Sequence, residues 1–391
     1  MSADHDARRE TPLAGVLKAR IRREGPISVR DYMTACLQDE THGYYRSQPA
    51  IGQGGDFVTA PEISQVFGEL IGLWAAVVWQ GMGQPAEFDF IELGPGRGTL
   101  MADALRAARM VPGFHPAARI SLIESNDTLR AAQRKTLGGP SETVRWLAEI
   151  GDVDLTSGVG ALRPAIVIAN EFLDAMPGRQ WIKTGTDAWA ERGVGLDPSG
   201  RLTFMTMPGT TVSPPAIARS LPATEVGAIV EQQDFSRLHD ALAHRATCRP
   251  VAALFVDYGH ARSAAGETLQ AVRGHRHEHV LTSPGEADLS MQVDFAQFVR
   301  GMGPSDDAVD GGLVVDGPTT QAEFLGALGI AQRASRLMAA NPVRAASIEQ
   351  DVARLMAPEG MGARFKVVGL RSAGLPALPA LPVIDRARDT P

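Results

Sequence analysis

The sequence predicts an α/β fold in which parallel strands are joined by crossover helices. From about residue 86 onward, short apolar runs alternate with stretches that are apolar at helical spacing, which is typical of a parallel sheet covered by helices. The run 165–169 is apolar throughout, as expected for a strand that is buried on both faces. A glycine-rich turn at 94–98 stands between the first strand and the first helix of this region, where such folds bind their ligands.

The region before the predicted sheet has a helical pattern. Ser28 and Asp31 have the spacing of a capping box at a helix start, and Thr59 and Glu62 repeat that spacing. Apolar residues in the segment 63–77 recur at helical spacing, so one face of that helix is expected to be buried. We therefore predict that the first part of the chain is helical.

Strands and helices then alternate toward the end of the chain. Residues 185–225 interrupt this alternation with a turn at 197–200 between two strand-like segments, which predicts an insertion. The predicted strands are 88–93, 119–124, 143–147, 165–169, 252–256 and 365–368. The predicted helices are 98–110, 127–137, 236–245, a segment around Phe295, and 321–328.

Composition narrows the class of protein. The chain has 391 residues, enough for two or three folded regions, and a net charge of −7, which argues against nucleic acid as the main partner. Cys36 and Cys248 stand far apart, so neither a disulfide framework nor a cysteine metal site is expected. The acidic start resembles neither a signal nor a transit peptide, and no apolar run reaches roughly 18 residues. We therefore expect a cytoplasmic protein without direct membrane insertion.

The glycine turn is the strongest local signal of a ligand site. Gly94, Gly96 and Gly98 have the spacing G-x-G-x-G, which differs from the dinucleotide motif, and no P-loop lysine follows. Glu92 stands two positions before the first glycine. A carboxylate there suits S-adenosylmethionine, which carries an ammonium and a sulfonium group but no pyrophosphate. We predict that these four residues bind this cofactor; the alternative is a turn that binds nothing.

Four further polar residues lie at or just after the ends of two predicted strands. Glu124 ends the second strand, where a carboxylate in this kind of fold accepts the ribose hydroxyls; the alternative is a solvated side chain. Asn170, Glu171 and Asp174 follow the apolar run 165–169, with Asn170 assigned to the cofactor. A carboxylate that binds a guanidinium in a fork orients it for methyl transfer, so Glu171 is the first catalytic candidate and Asp174 the second. Helix capping by Asn170 and Asp174 stays open as the alternative.

The chain resembles the MidA family, whose mitochondrial members are protein arginine methyltransferases needed for assembly of respiratory complex I. The matching segments run from about residue 25 to 370, nearly the whole chain. They are Gly43-Tyr44-Tyr45, the segment 55–64, Glu92-Leu93-Gly94-Pro95-Gly96-Arg97-Gly98-Thr99, Glu124-Ser125 with Leu129-Arg130, Asn170-Glu171-Phe172-Leu173-Asp174-Ala175-Met176-Pro177, Asp257-Tyr258-Gly259 and Pro284-Gly285-Glu286-Ala287-Asp288-Leu289.

The resemblance implies a class I S-adenosylmethionine-dependent methyltransferase fold, which is Rossmann-like, with S-adenosylmethionine as the methyl donor. It also implies symmetric dimethylation of an arginine on a complex I subunit. It also implies that Asp56, Phe57 and Glu62 form a flap over the cofactor or the acceptor. Asp56 is assigned as catalytic, and Phe57 and Glu62 are assigned to the substrate. For Glu62 a helix cap is the alternative. Asp257 and Tyr258 are assigned to the acceptor pocket, with a plain strand-end turn as the alternative.

The same reasoning predicts contiguous domains and leaves two other functions open. A non-catalytic S-adenosylmethionine-binding assembly factor is the main alternative, and a nicotinamide-dependent oxidoreductase is disfavoured by the glycine spacing. The stretch 275–279 holds three histidines but no completing ligand nearby, so no metal is expected. The oligomeric state is open, with a dimer as one option.

The predicted domains are a helical region 1–85, a cofactor-binding core 86–184, a substrate-binding insertion 185–250, the remaining core strands with a C-terminal α+β region 251–375, and a flexible tail 376–391.

Overall fold

The computed structural model divides the chain into two compact units. It describes residues 8–47, 58–138, 144–152, 162–209, 215–219, 221, 224–302 and 312–383. Unit 1 comprises Met1–Phe57, Asp174–Phe235 and Arg262–Gln297, and unit 2 comprises Val58–Leu173, Ser236–Ala261 and Phe298–Pro391. Each unit is thus assembled from three separate stretches, whereas the sequence predicts contiguous domains. Because compact units are not by themselves independent domains, the contiguous boundaries stay a prediction.

The strands are numbered in chain order. They are β1 Ile27–Ser28, β2 Phe88–Leu93, β3 Ala118–Ile123, β4 Val144–Leu147, β5 Ala165–Asn170, β6 Gly178–Lys183, β7 Trp189–Leu196, β8 Leu202–Thr206, β9 Ile229–Gln233, β10 Val251–His260, β11 Gln270–Arg273, β12 Arg276–Glu278, β13 Asp288–Ser290, β14 Val293–Asp294, β15 Leu313–Thr320 and β16 Phe365–Ser372.

The α-helices are numbered in the same way. They are α1 Pro12–Glu24, α2 Val29–Gln38, α3 Tyr44–Ser47, α4 Ala60–Ile63, α5 Gln65–Gly81, α6 Thr99–Ala108, α7 Phe114–Ala117, α8 Asp127–Thr136, α9 Ala216–Arg219, α10 Ser236–Cys248, α11 Phe295–Gly301, α12 Gln321–Ala327, α13 Ile330–Ala340, α14 Ala345–Met356 and α15 Met361–Arg364. Among the described residues, no helix is both long and apolar enough to cross a membrane.

Seven strands of unit 2 form one twisted, mostly parallel sheet. Their order is β15-β16-β10-β5-β2-β3-β4. The neighbours from β10 to β4 are parallel, and β16 is antiparallel to both β10 and β15. This arrangement confirms the predicted Rossmann-like α/β fold. The strand order reverses between β2 and β5, and a ligand crevice is expected beyond their carboxyl ends.

Close packing of α5 against α6 supports the first strand of that sheet. A Cβ atom added to Gly72 would lie 2.2 Å from the carbonyl oxygen of Ala104, so only glycine lets the two helices approach this closely. Phe88 and Phe90 of β2 lie in the same core, with the Phe88 and Phe114 ring centroids 5.0 Å apart. The glycine turn therefore begins at the end of a strand whose side chains are immobilised by aromatic packing.

Unit 1 contains two smaller sheets. One has the order β1-β7-β6-β9, with β8 paired to β7, and the other has the order β12-β11-β13. Helix α2 supplies buried residues to the core of this unit, and the hydroxyl of its Tyr32 donates to the carbonyl of Val280 at 2.8 Å. The predicted turn at 197–200 lies between β7 and β8 as expected.

Several local predictions differ from the structure. The Ser28 hydroxyl does accept from the amide of Asp31, but Thr59 makes no side-chain cap bond, so the second predicted cap is wrong. The segment predicted as wholly helical contains β1, which pairs with β7. Helices α13 and α14 were not predicted; they are rich in alanine and bury few large side chains, Leu355 being the buried residue of α14.

Candidate functional site

The glycine turn follows β2 at the point where the strand order reverses. Gly94, Gly96 and Gly98 have φ angles of +61°, +53° and +82°, the left-handed region that side chains disfavour. A Cβ atom on Gly94 would lie 2.9 Å from Cδ2 of Phe172, and one on Gly98 would also be strained by its φ. The predicted glycines thus form a left-handed turn that leads directly into α6, with Gly94 exposed and Gly96 and Gly98 buried.

Glu92 places a buried carboxyl group immediately before this turn. Its side chain is almost wholly buried, and Oε2 has no hydrogen-bond partner among the described residues. Burial raises the pKa of Glu92 to about 8, and a hydrogen bond with the backbone of Met101 offsets part of that rise. A buried carboxyl oxygen without a hydrogen-bond partner is costly unless a ligand completes its interactions. A ligand that brings positive charge fits this position.

Glu124 follows β3 and is oriented by its own helix. Its Oε1 accepts from the backbone amide of Asn126 at 2.7 Å, and Asn126 in turn caps α8. Burial raises the pKa of Glu124, and the hydrogen bonds from Asn126 and Gln133 act in the opposite direction. The carboxylate is therefore held at the carboxyl end of the strand next to β2, where the ribose site was predicted.

Glu171 follows β5 with an unusual backbone conformation. Its φ angle is +52°, one of few non-glycine residues in the left-handed region, and its amide donates to the carbonyl of Val256 at 2.9 Å. Its Oε1 accepts from the backbone amide of Ala60 at 2.9 Å and from Nδ2 of Asn170 at 3.1 Å. Strained backbone of this kind is retained where a side chain must point in one direction. The Oδ1 atom of Asn170 is buried without a hydrogen-bond partner among the described residues.

Helix α4 contacts both the loop after β5 and the start of α6, the helix that follows β2. The Ala60 amide at its start contacts Glu171, and the Glu62 carboxylate accepts from the hydroxyl of Thr99, the first residue of α6. Glu62 thus binds the protein itself rather than capping its own helix. Its predicted contact with a substrate stays a prediction.

Asp257, at the carboxyl end of β10, supports the loop that carries Glu171. Its side chain is fully buried. Oδ2 accepts from the amides of Phe172 and Leu173 at 3.0 and 2.8 Å, and Oδ1 accepts from the amide of Tyr258. These bonds give Asp257 a positioning role toward the loop after β5. The assignment of Asp257 and Tyr258 to an acceptor pocket stays a prediction; the Tyr258 ring packs 5.8 Å from that of Phe365.

The remaining predicted residues lie elsewhere. Asp174 belongs to unit 1, where its backbone carbonyl accepts a hydrogen bond from the amide of Met291. The pKa of Tyr45 is raised mainly by burial, and the negative charges of Asp288 and then Asp174 add to the rise. Asp56 and Phe57 lie outside the described residues. The histidine stretch forms β12 and the turn before it, and no group of metal-ligating side chains occurs in the described part of the chain.

Sequence reasoning missed Gln133. This glutamine is fully buried on α8, and its Nε2 donates to the carbonyl of Gly96 at 2.8 Å. Leu129, four residues earlier, is the other buried residue of this helix. A polar residue in a position where helical spacing predicts an apolar one was the available signal.

Comparison with known proteins decides the family. A model of S-adenosyl-L-methionine-dependent methyltransferases matches residues 70–306, more than half of the chain. The chain belongs to this family. Its cofactor is S-adenosylmethionine, and the predicted resemblance to the MidA family is confirmed.

Two curated relatives are similar to this chain over most of its length. A Mus musculus protein named "Protein arginine methyltransferase NDUFAF7, mitochondrial" is 33% identical over 386 residues, which cover 92% of this chain and 84% of the relative. The Danio rerio protein of the same name is 32% identical over 381 residues, 90% of this chain and 84% of the relative. These relatives are named as mitochondrial, and this finding overturns the expectation of a cytoplasmic protein, which rested on the lack of a recognisable leader.

A solved structure with a bound ligand is similar to this chain. A Burkholderia thailandensis protein bound to S-adenosyl-homocysteine has a TM-score of 0.78 and 26% sequence identity, and the alignment covers 96% of this chain and 97% of that protein. In the chain described here, the residues predicted to bind the cofactor are those of the glycine turn, the buried Glu92 and the oriented Glu124, and this assignment stays a prediction. The Oε2 atom of Glu92, which has no hydrogen-bond partner in the described part of the chain, fits the positive charge of S-adenosylmethionine.

Proposed function

We propose that this methyltransferase modifies an arginine side chain of a protein, with Glu171 orienting the guanidinium group. The proposal draws on the names of the curated relatives, which are protein arginine methyltransferases. The single observation that carries the role of Glu171 is its fixed carboxylate, held by the Ala60 amide and by Asn170 on a left-handed backbone. It lies after β5, the strand next to β2 in the sheet.

The cofactor site in this proposal has three parts. The backbone of the glycine turn approaches the cofactor without side chains, Glu92 faces its positive charge, and Glu124 accepts hydrogen bonds from the ribose hydroxyls. Asn170, whose Oδ1 has no hydrogen-bond partner among the described residues, is assigned to the same site. When bound, S-adenosylmethionine supplies an electrophilic methyl group on its sulfonium.

The acceptor nitrogen needs a lone pair directed at that methyl group. A protonated guanidinium delocalises its lone pairs, so it is a poor nucleophile. A carboxylate that accepts hydrogen bonds from two N–H groups concentrates positive charge on that side of the guanidinium and fixes its plane. Glu171 takes this role, and Asp257 holds the loop in place through the amides of Phe172 and Leu173. Orientation of this kind lowers the barrier mainly by reducing the entropy cost of alignment.

The finer assignments belong to the same proposal. The acceptor protein is taken to be a subunit of respiratory complex I, and the product to be symmetric dimethylarginine, as the family resemblance implies. A dimer is the oligomeric state to test by light scattering.

The test is transfer of label from methyl-labelled S-adenosylmethionine to purified candidate subunits. Mass spectrometry of the labelled peptide identifies the modified residue, and fragmentation distinguishes symmetric from asymmetric dimethylarginine. Transfer to arginine that is lost in Glu171→Gln supports the proposal. Cofactor binding without transfer to any complex I subunit would contradict it and would favour an assembly factor that holds its client.

A further inference from the structure

Gln133 links two parts of the cofactor site. Its Nε2 donates to the carbonyl of Gly96 at 2.8 Å and makes a longer bond, 3.4 Å, to Oε2 of Glu124. Its Oε1 accepts from the indole Nε1 of Trp146 at 2.9 Å. We propose that Gln133 is a positioning residue that holds the glycine turn and Glu124 in the arrangement that binds S-adenosylmethionine.

The location of Gln133 argues against a role in helix packing alone. It shares the buried face of α8 with Leu129, one helical turn earlier, where an apolar side chain would suffice for packing. A buried polar side chain costs free energy unless all its groups are bonded, and a bonded network specifies one conformation. Both the amide nitrogen and the amide oxygen of Gln133 have partners.

Gln133 also packs against the turn. A Cβ atom added to Gly98 would lie 3.3 Å from its Cγ atom, so the glutamine stem fills the space beside the last glycine. The side-chain amide of Gln133 thus binds the carbonyl of Gly96, and the aliphatic part of the same side chain lies beside Gly98. The indole of Trp146 fixes the direction of that amide, because an indole N–H can only donate.

The contact with Glu124 has a chemical consequence. A carboxylate accepts both ribose hydroxyls only when it is ionised, and hydrogen bonds to the charged form favour ionisation. Gln133 and the Asn126 amide both donate to Glu124. Part of this inference therefore rests on the proposed contact between Glu124 and the ribose. It does not depend on the identity of the methyl acceptor, because cofactor binding is measured without one.

The experiment is calorimetric titration of Gln133→Met with S-adenosylmethionine and with S-adenosylhomocysteine. Both ligands share the ribose, so we expect Kd to rise about tenfold for each, the scale of hydrogen bonds lost to a charged group. With any acceptor that the wild type methylates, the KM for S-adenosylmethionine should rise while kcat at saturation stays within about twofold.

Gln321→Met is the matched control. Gln321 is also a fully buried glutamine, and its Nε2 donates to the carbonyl of Leu355 at 2.9 Å. Its loss should lower Tm without a change in Kd. Unchanged Kd in Gln133→Met, or an equal rise in both variants, would overturn the proposal, since the second result indicates general destabilisation.

Trp146→Phe keeps the inference testable if Gln133→Met does not fold. It removes the indole donor that orients the Gln133 amide and part of the ring over which Arg134 stacks, but it keeps the Gln133 amide itself. A smaller rise in Kd is therefore expected, and wild-type Kd would count against the proposal. A rise in Gln133→Met combined with wild-type affinity in Glu124→Ala would overturn the part that concerns Glu124.

Discussion

The backbone amide of Ala60 donates a 2.9 Å hydrogen bond to Oε1 of Glu171, a residue 111 positions later in the chain. Asn170 adds a second donor to the same oxygen, and the left-handed backbone of Glu171 directs the side chain. Together these contacts hold one carboxylate at the end of β5 in a defined orientation. An orientation fixed before the substrate arrives is what a positioning role in methyl transfer requires.

Glu171→Gln should lower turnover about a hundredfold, the scale of losing one electrostatic contact in a transition state. The neutral amide cannot concentrate charge on one side of a guanidinium, but it keeps the size of the side chain. Calorimetry should show cofactor affinity within twofold of the wild type, and labelled transfer should show the loss. Glu359→Gln, an exposed site, is the control and should be fully active. Normal methylation by Glu171→Gln would rule out the proposed role.

Glu171→Gly should be more stable than Glu171→Ala by about 1 kcal/mol, because alanine pays the cost of a positive φ and glycine does not. Urea denaturation measures both variants. At Glu124, which is not among the residues with positive φ, the order should reverse, with alanine more stable than glycine. If alanine were the more stable residue at both positions, the backbone at 171 would not be strained.

Glu92 should couple cofactor binding to pH. Burial raises its pKa to about 8 from an ordinary value of 4.5. Between these values the folded protein holds a proton that the unfolded chain has lost, so the free energy of unfolding falls as pH rises. A cationic cofactor favours the ionised carboxylate, so binding should release a proton at neutral pH. Affinity should then rise with pH toward 8, by at most about tenfold per pH unit.

Calorimetry in buffers with different ionisation enthalpies measures the proton released on binding. Glu92→Gln cannot ionise, so it should lose both the proton release and this part of the pH dependence of stability. Wild-type protein that binds the cofactor at pH 7 without releasing a proton would show that Glu92 does not face the positive charge.

Glu124→Ala should weaken S-adenosylmethionine binding by about 1 to 3 kcal/mol, because hydrogen bonds to a charged group are lost. The binding of S-adenosylhomocysteine to this variant should weaken by the same amount, since this ligand carries the same ribose. The exposed Glu149 provides a control, and Glu149→Ala should bind both ligands as the wild type does. Equal affinity of Glu124→Ala and wild type would place the ribose elsewhere.

Local patterns in the sequence were sufficient for the parallel strands of the main sheet and for the glycine turn, but not for the edge strand β15. The strand at 165–169, the glycine spacing at 94–98 and the carboxylate at 124 are properties of short segments, and alternation of strands and helices implies that parallel strand ends meet at one edge. Helices α13 and α14 were not predicted, although their apolar residues recur at helical spacing, and few of their large side chains are buried.

Side-chain partners depended on the tertiary structure. Sequence spacing suggested that Thr59 and Glu62 cap a helix, whereas Glu62 accepts from Thr99, and Asp257 is occupied by the amides of the loop after β5. The sequence gives Gln133 no role beyond that of a helix residue, whereas in the folded protein its amide donates to the carbonyl of Gly96.

The sequence by itself therefore determined the α/β class, the glycine turn and the carboxylates that follow strands, since these depend on the chain within a few residues. Only the tertiary structure decided which of those groups are already bonded within the protein and which have, among the described residues, an oxygen without a partner, as Glu92 does. Hydrogen-bond partners distant in sequence are brought together by folding, and burial and hydrogen bonding together then shift the pKa of each such group, upward for Glu92 and downward for Glu323.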